Sequence, residues 1–248
     1  MNTVAVMQPA YLPWQGYCDM LDQADLFVLL DTVPVSHQSW QTRNRIVNRQ
    51  GNEVWLSIPI HDDLGQVLHT VEIDNTKPWR PKHRGTLNAL SKSSLELQPL
   101  LNLYDQEWRY LTEFTGAVLL ELALALGIRT PIVSASAYGL PATANPVERL
   151  IQILERAGAT EYLSAAGSRE VLDTDWLPIG SGSIPVRYHD YSPAPYEQNG
   201  DGFVSHLSVV DCLARHGPME TLALIRAGRF MPGYSQALDE AFIGRSVR

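Results

Sequence analysis

The chain has 248 residues, of which 45% are apolar and 19% charged, and its formal net charge at pH 7 is −8. These proportions are typical of a globular protein that is long enough to bury a core without disulfides or metals. An acidic chain lacks the broad basic surface that nucleic acids require, so no nucleic-acid partner is expected. The longest apolar stretch, from Ala117 to Leu126, contains Glu121 and is too short for membrane insertion.

The cysteines and the N-terminus predict the compartment. Cys18 and Cys212 are too few for a disulfide framework or a zinc site. The chain starts directly with an apolar run, without the basic region and apolar core of a secretory signal. Both features predict a cytoplasmic, reducing location.

The order of the apolar patterns predicts an α/β protein with a mixed sheet flanked by helices. Residues 1–80 give strand, turn, helix and strand, followed by a hairpin that turns near Gly51. Residues 81–130 form an inserted helical segment. Residues 131–248 alternate again between helix and strand. We expect these three segments to form one compact unit.

Helix boundaries are predicted by capping residues. Apolar positions recur at helical spacing from Leu97 to about Leu126. Asn145, followed by Pro146 at the first helical position, predicts a helix start. A last helix is predicted to run from Ser208 to His216.

The loop after the first strand carries the first candidate site residues, Gln8, Tyr11, Gly16 and Tyr17. A glycine early in a helix lets an anion approach the free backbone N–H groups. The layout is similar to the His-X-Gly-His loop of nucleotidyltransferases, but Gln15 and Tyr17 occupy the histidine positions. Alternatively, the loop is a tight turn in which the aromatic side chains pack.

Two more candidate groups follow strands, where ligands of α/β folds bind. Asp31 closes the second strand and predicts a carboxylate that holds an amine or a sugar hydroxyl, with loop capping as the alternative. Ser164, Gly167 and Ser168 form a turn that is similar to anion-binding turns. This turn lacks the phosphate-loop lysine, and its small residues are also compatible with close packing.

The richest polar cluster runs from Trp40 to Arg45. Arg43 and Arg45 are two residues apart, so in a strand both point to one face, with Asn44 on the other. Guanidinium groups match carboxylates and phosphates, which predicts substrate binding. An edge strand with solvated arginines, or ion pairs to carboxylates such as Asp31, is the alternative.

Two histidines invite a catalytic interpretation. His83, close to Pro81 at a helix start, has a side chain suited to general acid–base chemistry, although a lone histidine is also compatible with a structural role. His206 lies near Ser208 and Asp211, but no nucleophile elbow is present. Ser208 fits better as a helix N-cap, with Asp211 in the first turn.

No metal or other cofactor is expected. His61, Asp62, Asp63 and His69 lie in a polar loop, but their spacing is not that of a ligand set. A metal-assisted reaction is therefore not part of the prediction.

Three stretches together resemble the WbqC-like family, and the resemblance extends from Met1 to about Gly217. The first stretch comprises Gln8-Pro9-X-Tyr11-X-Pro13-X-X-Gly16-Tyr17, then Asp31, then Trp40-X-X-Arg43-Asn44-Arg45-Ile46. The second runs from Tyr162 to Ser168, and the third from Phe203 to Asp211. The resemblance implies a biosynthetic context, because members occur near genes for surface polysaccharide and specialised-metabolite synthesis.

From this context and the site we expect a small-molecule transferase that forms an amide or ester by acyl or aminoacyl transfer to an amino sugar or amino acid. Arg43 and Arg45 would hold an acidic group of the donor, Asp31 would orient the amine, and His83 would be the general base. A carrier protein or pathway enzyme is a possible partner. Two alternatives stay open: a nucleotidyl- or adenylyl-transferring enzyme, and a non-catalytic partner that binds a pathway intermediate or an enzyme.

Overall fold

The computed structural model describes residues 1–36, 38–61, 65–90, 97–172 and 174–230. The strands within these ranges are β1 (Thr3–Met7), β2 (Leu26–Leu29), β3 (Arg43–Val47), β4 (Glu53–Ser57), β5 (Ile60–His61), β6 (Glu72–Ile73), β7 (Ile132–Ser134), β8 (Glu161–Ser164), β9 (Trp176–Ile179) and β10 (Gly182–Tyr188). The α-helices are α1 (Gln15–Gln23), α2 (Trp79–Asn88), α3 (Gln98–Asn102), α4 (Leu111–Leu126), α5 (Pro146–Ala157), α6 (Arg169–Leu172) and α7 (Val209–Ala227).

Six strands form a mixed sheet in the order β7-β2-β1-β8-β10-β9, which confirms the predicted α/β class. All neighbouring pairs are parallel except β9 with β10. The chain moves from β1 outward through β2 to β7, then returns to place β8 on the other side of β1. The carboxyl ends of β1 and β8 therefore border a topological switch point, where open α/β sheets bind ligands.

The alternation of side chains along β1 explains why helices cover both faces of the sheet. Val4 and Val6 belong to a core cluster that includes Ile153 and Leu154 of α5. Ala5 points the other way, into the larger cluster built with residues of α1, α4 and α7. Successive strand residues face opposite sides, so one short apolar strand serves two cores.

The helical pattern that begins at Leu97 is broken into α3 and α4. Between these helices, Tyr110 forms an isolated bridge with Glu72. The amide of Ile73 donates to the carbonyl of Arg109 at 2.9 Å. Pairing with β6 thus holds Arg109 and Tyr110 in an extended conformation between the two helices. The helical spacing of apolar residues did not predict this interruption.

Two predicted caps are present, and one predicted helix end is a kink. The Asn145 side chain accepts from the amides of Val147 and Glu148, and the Ser208 side chain accepts from the amide of Val210, which confirms both as N-caps. The last helix breaks at Gly217 (φ 74°), as the sequence indicates, but it resumes at Pro218 as the second half of α7. Proline fits there because a first-turn residue needs no amide hydrogen.

The strands β3 and β4 form the predicted hairpin, whose turn includes Gly51 at φ 83°. A Cβ on Gly51 would lie 2.7 Å from the Cα of Gly200, so the hairpin tip approaches a later loop backbone to backbone. No helix among the described residues combines the length and apolarity needed to cross a bilayer.

Candidate functional site

The first loop and β3 are joined by hydrogen bonds. The Tyr11 amide donates to the Trp40 carbonyl at 2.9 Å, and the buried Asn44 side chain donates through Nδ2 to the Leu12 carbonyl at 2.7 Å. Leu12 has a left-handed backbone (φ 47°), which a branched side chain seldom adopts. Asn44 therefore holds a strained loop in place, and its predicted contact with substrate stays a prediction.

Backbone strain concentrates around this junction. Among the described residues, the non-glycine residues with positive φ are Leu12, Gln38 and His206. The Gln38 carboxamide accepts from Arg43 at 3.5 Å, and the His206 ring stacks on Trp14 with centroids 4.7 Å apart. Strained backbone clusters at functional sites, so the three positions mark this region as the candidate site.

The two arginines of β3 share one face with an exposed tryptophan. The guanidinium groups of Arg43 and Arg45 lie 4.6 and 5.8 Å from the ring centroid of Trp55, as the predicted strand alternation requires. Trp55 is 45% exposed and stacks on Trp40 at 5.7 Å. Arg45 pairs with Glu53 at 2.5 Å, whereas Arg43 makes no ion pair with any described residue. Arg43 is therefore a cation available to an anionic ligand.

Sequence patterns did not single out Trp55. It lies in an apolar stretch of β4 that reads as an ordinary strand, and only the register between β3 and β4 places it opposite Arg45. An unusually exposed tryptophan becomes a signal only when its exposure is known.

Gln8 lies at the carboxyl end of β1 and is exposed. Its side-chain oxygen accepts from Gln41 Nε2 at 2.7 Å, and its backbone carbonyl accepts from the Tyr17 hydroxyl at 3.0 Å. Gln41 is fixed in turn, because its own oxygen accepts from the Ser36 amide at 2.8 Å. These bonds orient the Gln8 carboxamide at the switch-point crevice.

Gly16 has a packing reason to be glycine. A Cβ there would lie 2.3 Å from the Trp14 ring, which covers this part of α1. The contacts present thus correspond to the packing alternative.

Asp31 is buried at the end of β2. Its carboxylate accepts from the amide and the hydroxyl of Ser136, at 2.8 and 2.5 Å, in the turn after β7. Its backbone carbonyl accepts from the His69 amide at 3.1 Å. The carboxylate therefore joins two strand ends, which is the capping role left open above, and its predicted contact with an amine stays a prediction.

His83 lies in an aromatic environment and is 3% exposed. Its Nδ1 lies 2.8 Å from the Tyr11 hydroxyl, which lies 2.7 Å from the Tyr104 hydroxyl. Burial, with a smaller contribution from Lys82, lowers the pKa of His83 to about 4. The structure thus brings two predicted residues, Tyr11 and His83, together, and adds Tyr104, which the sequence did not indicate. The role of His83 as a base stays a prediction.

The turn after β8 lies on the other side of the crevice from Gln8, because β8 is the neighbour of β1. Ser164 is buried, whereas Gly167 is exposed and Ser168 is half-buried. The Ser168 amide donates to the Ala165 carbonyl at 3.0 Å, which closes the turn. Gly167 and Ser168 are accessible to a ligand at the strand ends, whereas the predicted contact of Ser164 stays a prediction and the arginines lie on a separate hairpin.

The polar loop considered for a metal site lies partly within the described residues. Within the described ranges, no three His, Cys, Asp or Glu side chains gather as a ligand set. Asp62 and Asp63, which belong to the polar loop considered above, lie outside the described residues.

The fold and the site define a class: an α/β protein with a crevice at a topological switch point and a cation–aromatic hairpin beside it. The chain belongs to the WbqC-like protein family, whose model matches residues 8–222. It is also 28% identical over 225 residues, 88% of this chain and 95% of the other, to uncharacterized protein Rv1507c of Mycobacterium tuberculosis. No solved structure matches the chain significantly.

Proposed function

We propose that this protein is a biosynthetic transferase that moves an acyl or aminoacyl group onto the amine of an amino sugar or amino acid, in polysaccharide or specialised-metabolite synthesis. The observation that carries the proposal is Arg43. Its guanidinium lies over Trp55 at 4.6 Å and has no carboxylate partner among the described residues. Activated acyl donors commonly carry a phosphate or carboxylate, which a guanidinium binds through two parallel hydrogen bonds.

The proposal assigns the donor to the hairpin and the acceptor to the strand ends. Arg43 and Arg45 bind the donor's acidic group, and Trp55 contributes a flat apolar surface. Gln8 and the turn at Gly167 offer hydrogen bonds to the acceptor at the crevice. A donor attached to a carrier protein or pathway enzyme would reach the same hairpin, because Trp55 is exposed.

Nucleotidyl transfer receives less support than acyl transfer. It rested on the similarity of the first loop to the His-X-Gly-His loop of nucleotidyltransferases, but Gln15 and Tyr17 occupy the histidine positions. A non-catalytic binding role is the competing hypothesis, and the experiment must distinguish it from acyl transfer.

The test is a thermal-shift and calorimetric screen of the wild type and Arg43→Ala with acyl-coenzyme A thioesters, amino acids, nucleotides and nucleotide-linked amino sugars. A ligand at a hundredfold excess over its dissociation constant stabilises the native state by about 3 kcal/mol. We expect a stabilising acyl donor whose effect is lost in Arg43→Ala. Arg109→Ala is the matched control, because that exposed arginine also lies over an aromatic ring, Tyr110 at 5.1 Å, but is already paired with Glu72.

The wild type must then transfer the acyl group of that donor to an added amine, detected by mass spectrometry. If no compound shifts the wild type and no amide forms, the protein is a binding partner and the proposed activity is wrong. If a nucleotide alone binds and pyrophosphate is released, nucleotidyl transfer replaces it.

A further inference from the structure

A second polar cluster lies between α1, the end of β10 and the end of α7. At its centre is Asp19, which has no exposed surface. Its carboxylate accepts from Gln23 Nε2 at 2.6 Å and Arg229 Nε at 2.5 Å, and lies 2.7 Å from His189 Nε2. A buried carboxylate with three donors is fixed in position and charge-compensated by the guanidinium.

Asp19 also fixes the state of the His189 ring. Because the carboxylate can only accept, Nε2 carries a hydrogen, and in neutral imidazole Nδ1 then holds the free lone pair. Within the described part of the chain, the hydrogen bond of the His189 side chain is made through Nε2 and none is made through Nδ1. A histidine that a carboxylate orients through one nitrogen while the other stays free is arranged as a general base.

The ring borders an open groove. Its lining consists of Gln23, Arg187, Tyr188, His189, Asp190 and Arg229. His189 directly follows β10, and its amide donates to the Ser164 carbonyl at 2.8 Å. The groove therefore begins at the carboxyl edge of the sheet, beside the turn already assigned to the candidate site.

The groove presents both signs of charge. Arg187 donates to the side-chain oxygen of Gln23 at 2.7 Å and pairs with Glu161 at 3.3 Å, while 41% of its side chain stays exposed. Asp190 is an exposed carboxylate on the same lining. An acceptor with an amine and an acidic group would meet a carboxylate and guanidinium groups in one place.

Tyr191 supplies another polar atom beside the ring. Its ring stacks on His189 with centroids 5.4 Å apart and planes 12° apart. Its hydroxyl is buried and makes no hydrogen bond with the described residues. The stacked Tyr191 ring therefore restricts the orientation of the His189 side chain.

We propose that His189, in place of His83, is the general base of the transfer reaction and that Asp19 is its positioning residue; this inference rests on the proposed function. The acceptor amine attacks the carbonyl carbon of an acyl ester or thioester, and a C–N bond forms. The ammonium proton passes to His189 Nδ1. The bond between the carbonyl carbon and the leaving oxygen or sulfur breaks, and His189 returns the proton to that leaving group.

The first test needs no substrate. Diethyl pyrocarbonate acylates neutral imidazole: the ring nitrogen attacks a carbonyl carbon, and ethyl carbonate leaves as carbon dioxide and ethanol. Peptide mass spectrometry measures the labelling rate at each histidine of the native protein. We expect His189 to be labelled despite its burial, and at least tenfold more slowly in Asp19→Asn, because the amide can donate to Nε2 and shift the hydrogen to Nδ1. The exposed His61 is the internal control, with an unchanged rate.

Either of two observations would overturn the proposed pairing of Asp19 with His189. One is that native His189 is not labelled while His61 reacts, and the other is that His189 is labelled at the same rate in the wild type and in Asp19→Asn. Because Asp19→Asn could fail to fold, the histidine tautomer of the wild type is also measured by long-range nitrogen–proton NMR. The Nε2–H form is expected, and the Nδ1–H form contradicts the proposal.

The second test separates this inference from the proposed function. With the donor and amine that the screen identifies, His189→Asn lowers kcat about 10²–10⁴-fold with little change in KM, and His61→Asn leaves it unchanged. If His189→Asn keeps the wild-type kcat, the base assignment is wrong and the transferase stands. If the wild type forms no amide, the proposed function is wrong and the base assignment falls with it, whatever the labelling shows.

Discussion

Two buried histidines, His83 and His189, lie in opposite chemical surroundings. His83 contacts the Tyr11 hydroxyl and aromatic rings, and burial lowers its pKa to about 4. His189 contacts a buried carboxylate on one side and a groove on the other. Both side chains are buried, but of the two only His189 contacts a carboxylate, whose negative charge can stabilise a proton on the ring. The comparison shows that the neighbours of a buried histidine, more than its burial, decide what it can do.

The largest expected effect comes from removing Asp19, the carboxylate partner of His189. Asp19→Ala removes the acceptor of His189, Gln23 and Arg229, although Arg229 keeps its second carboxylate partner, Asp22. We expect a loss of about 3–5 kcal/mol in the free energy of unfolding, measured by urea denaturation, because each buried group left without its hydrogen bond costs about 1–3 kcal/mol. Glu72→Ala, which breaks an exposed ion pair, should cost less than about 1 kcal/mol. Equal losses would mean that the buried network is no stronger than a surface pair.

The His83 side predicts a dependence of stability on pH. Its pKa is about 4 in the folded protein and near 6.5 in the unfolded chain, so the unfolded chain binds the proton more tightly. Stability is therefore full above pH 6.5 and falls by up to roughly 3 kcal/mol as the pH drops towards 4. His206, whose pKa is also lowered to about 4, adds a loss in the same window.

Urea denaturation of the wild type and His83→Gln between pH 4 and 7 measures this contribution. The variant should show a shallower pH dependence, and His61→Gln, at an exposed position, should match the wild type. Parallel curves for His83→Gln and the wild type would show that His83 is not the group responsible.

The smallest expected effect concerns one hydroxyl. Tyr11→Phe keeps the ring but leaves His83 Nδ1 and the Tyr104 hydroxyl without a partner. Loss of a buried hydrogen bond of this kind costs about 1–3 kcal/mol, measurable as a lower urea midpoint. Tyr138→Phe is the control, because that half-buried ring has no comparable bond. A Tyr11→Phe protein as stable as the control would mean that the network contributes nothing.

Local physics explains what the sequence could predict. The period of two placed Arg43 and Arg45 on one face of β3, because a strand alternates whatever surrounds it. Asn145 and Gly51 fulfil their predicted roles for the same reason, since a cap or turn depends on a few neighbouring residues. The α/β class follows from the order of such local patterns.

Long-range contacts explain what the sequence could not predict. Asp19 and His189 are separated by most of the chain, and neither lies in a recognisable motif. Tyr104 reads as one apolar position of a helical pattern, and only folding places its hydroxyl on Tyr11. The sequence predicts that Asp31 lies at a strand end, and it does. Its hydrogen-bond donor, Ser136, comes from the turn after β7, which the sequence did not indicate.

The fit between Trp14 and Gly16 has an evolutionary consequence. The indole occupies the space into which any side chain at position 16 would project. A side chain at position 16 therefore requires the ring at position 14 to move or to be replaced by a smaller one, and either change disturbs the stacking on His206. Because the three positions share contacts, we expect the effects of substitutions at positions 14, 16 and 206 on stability to be non-additive.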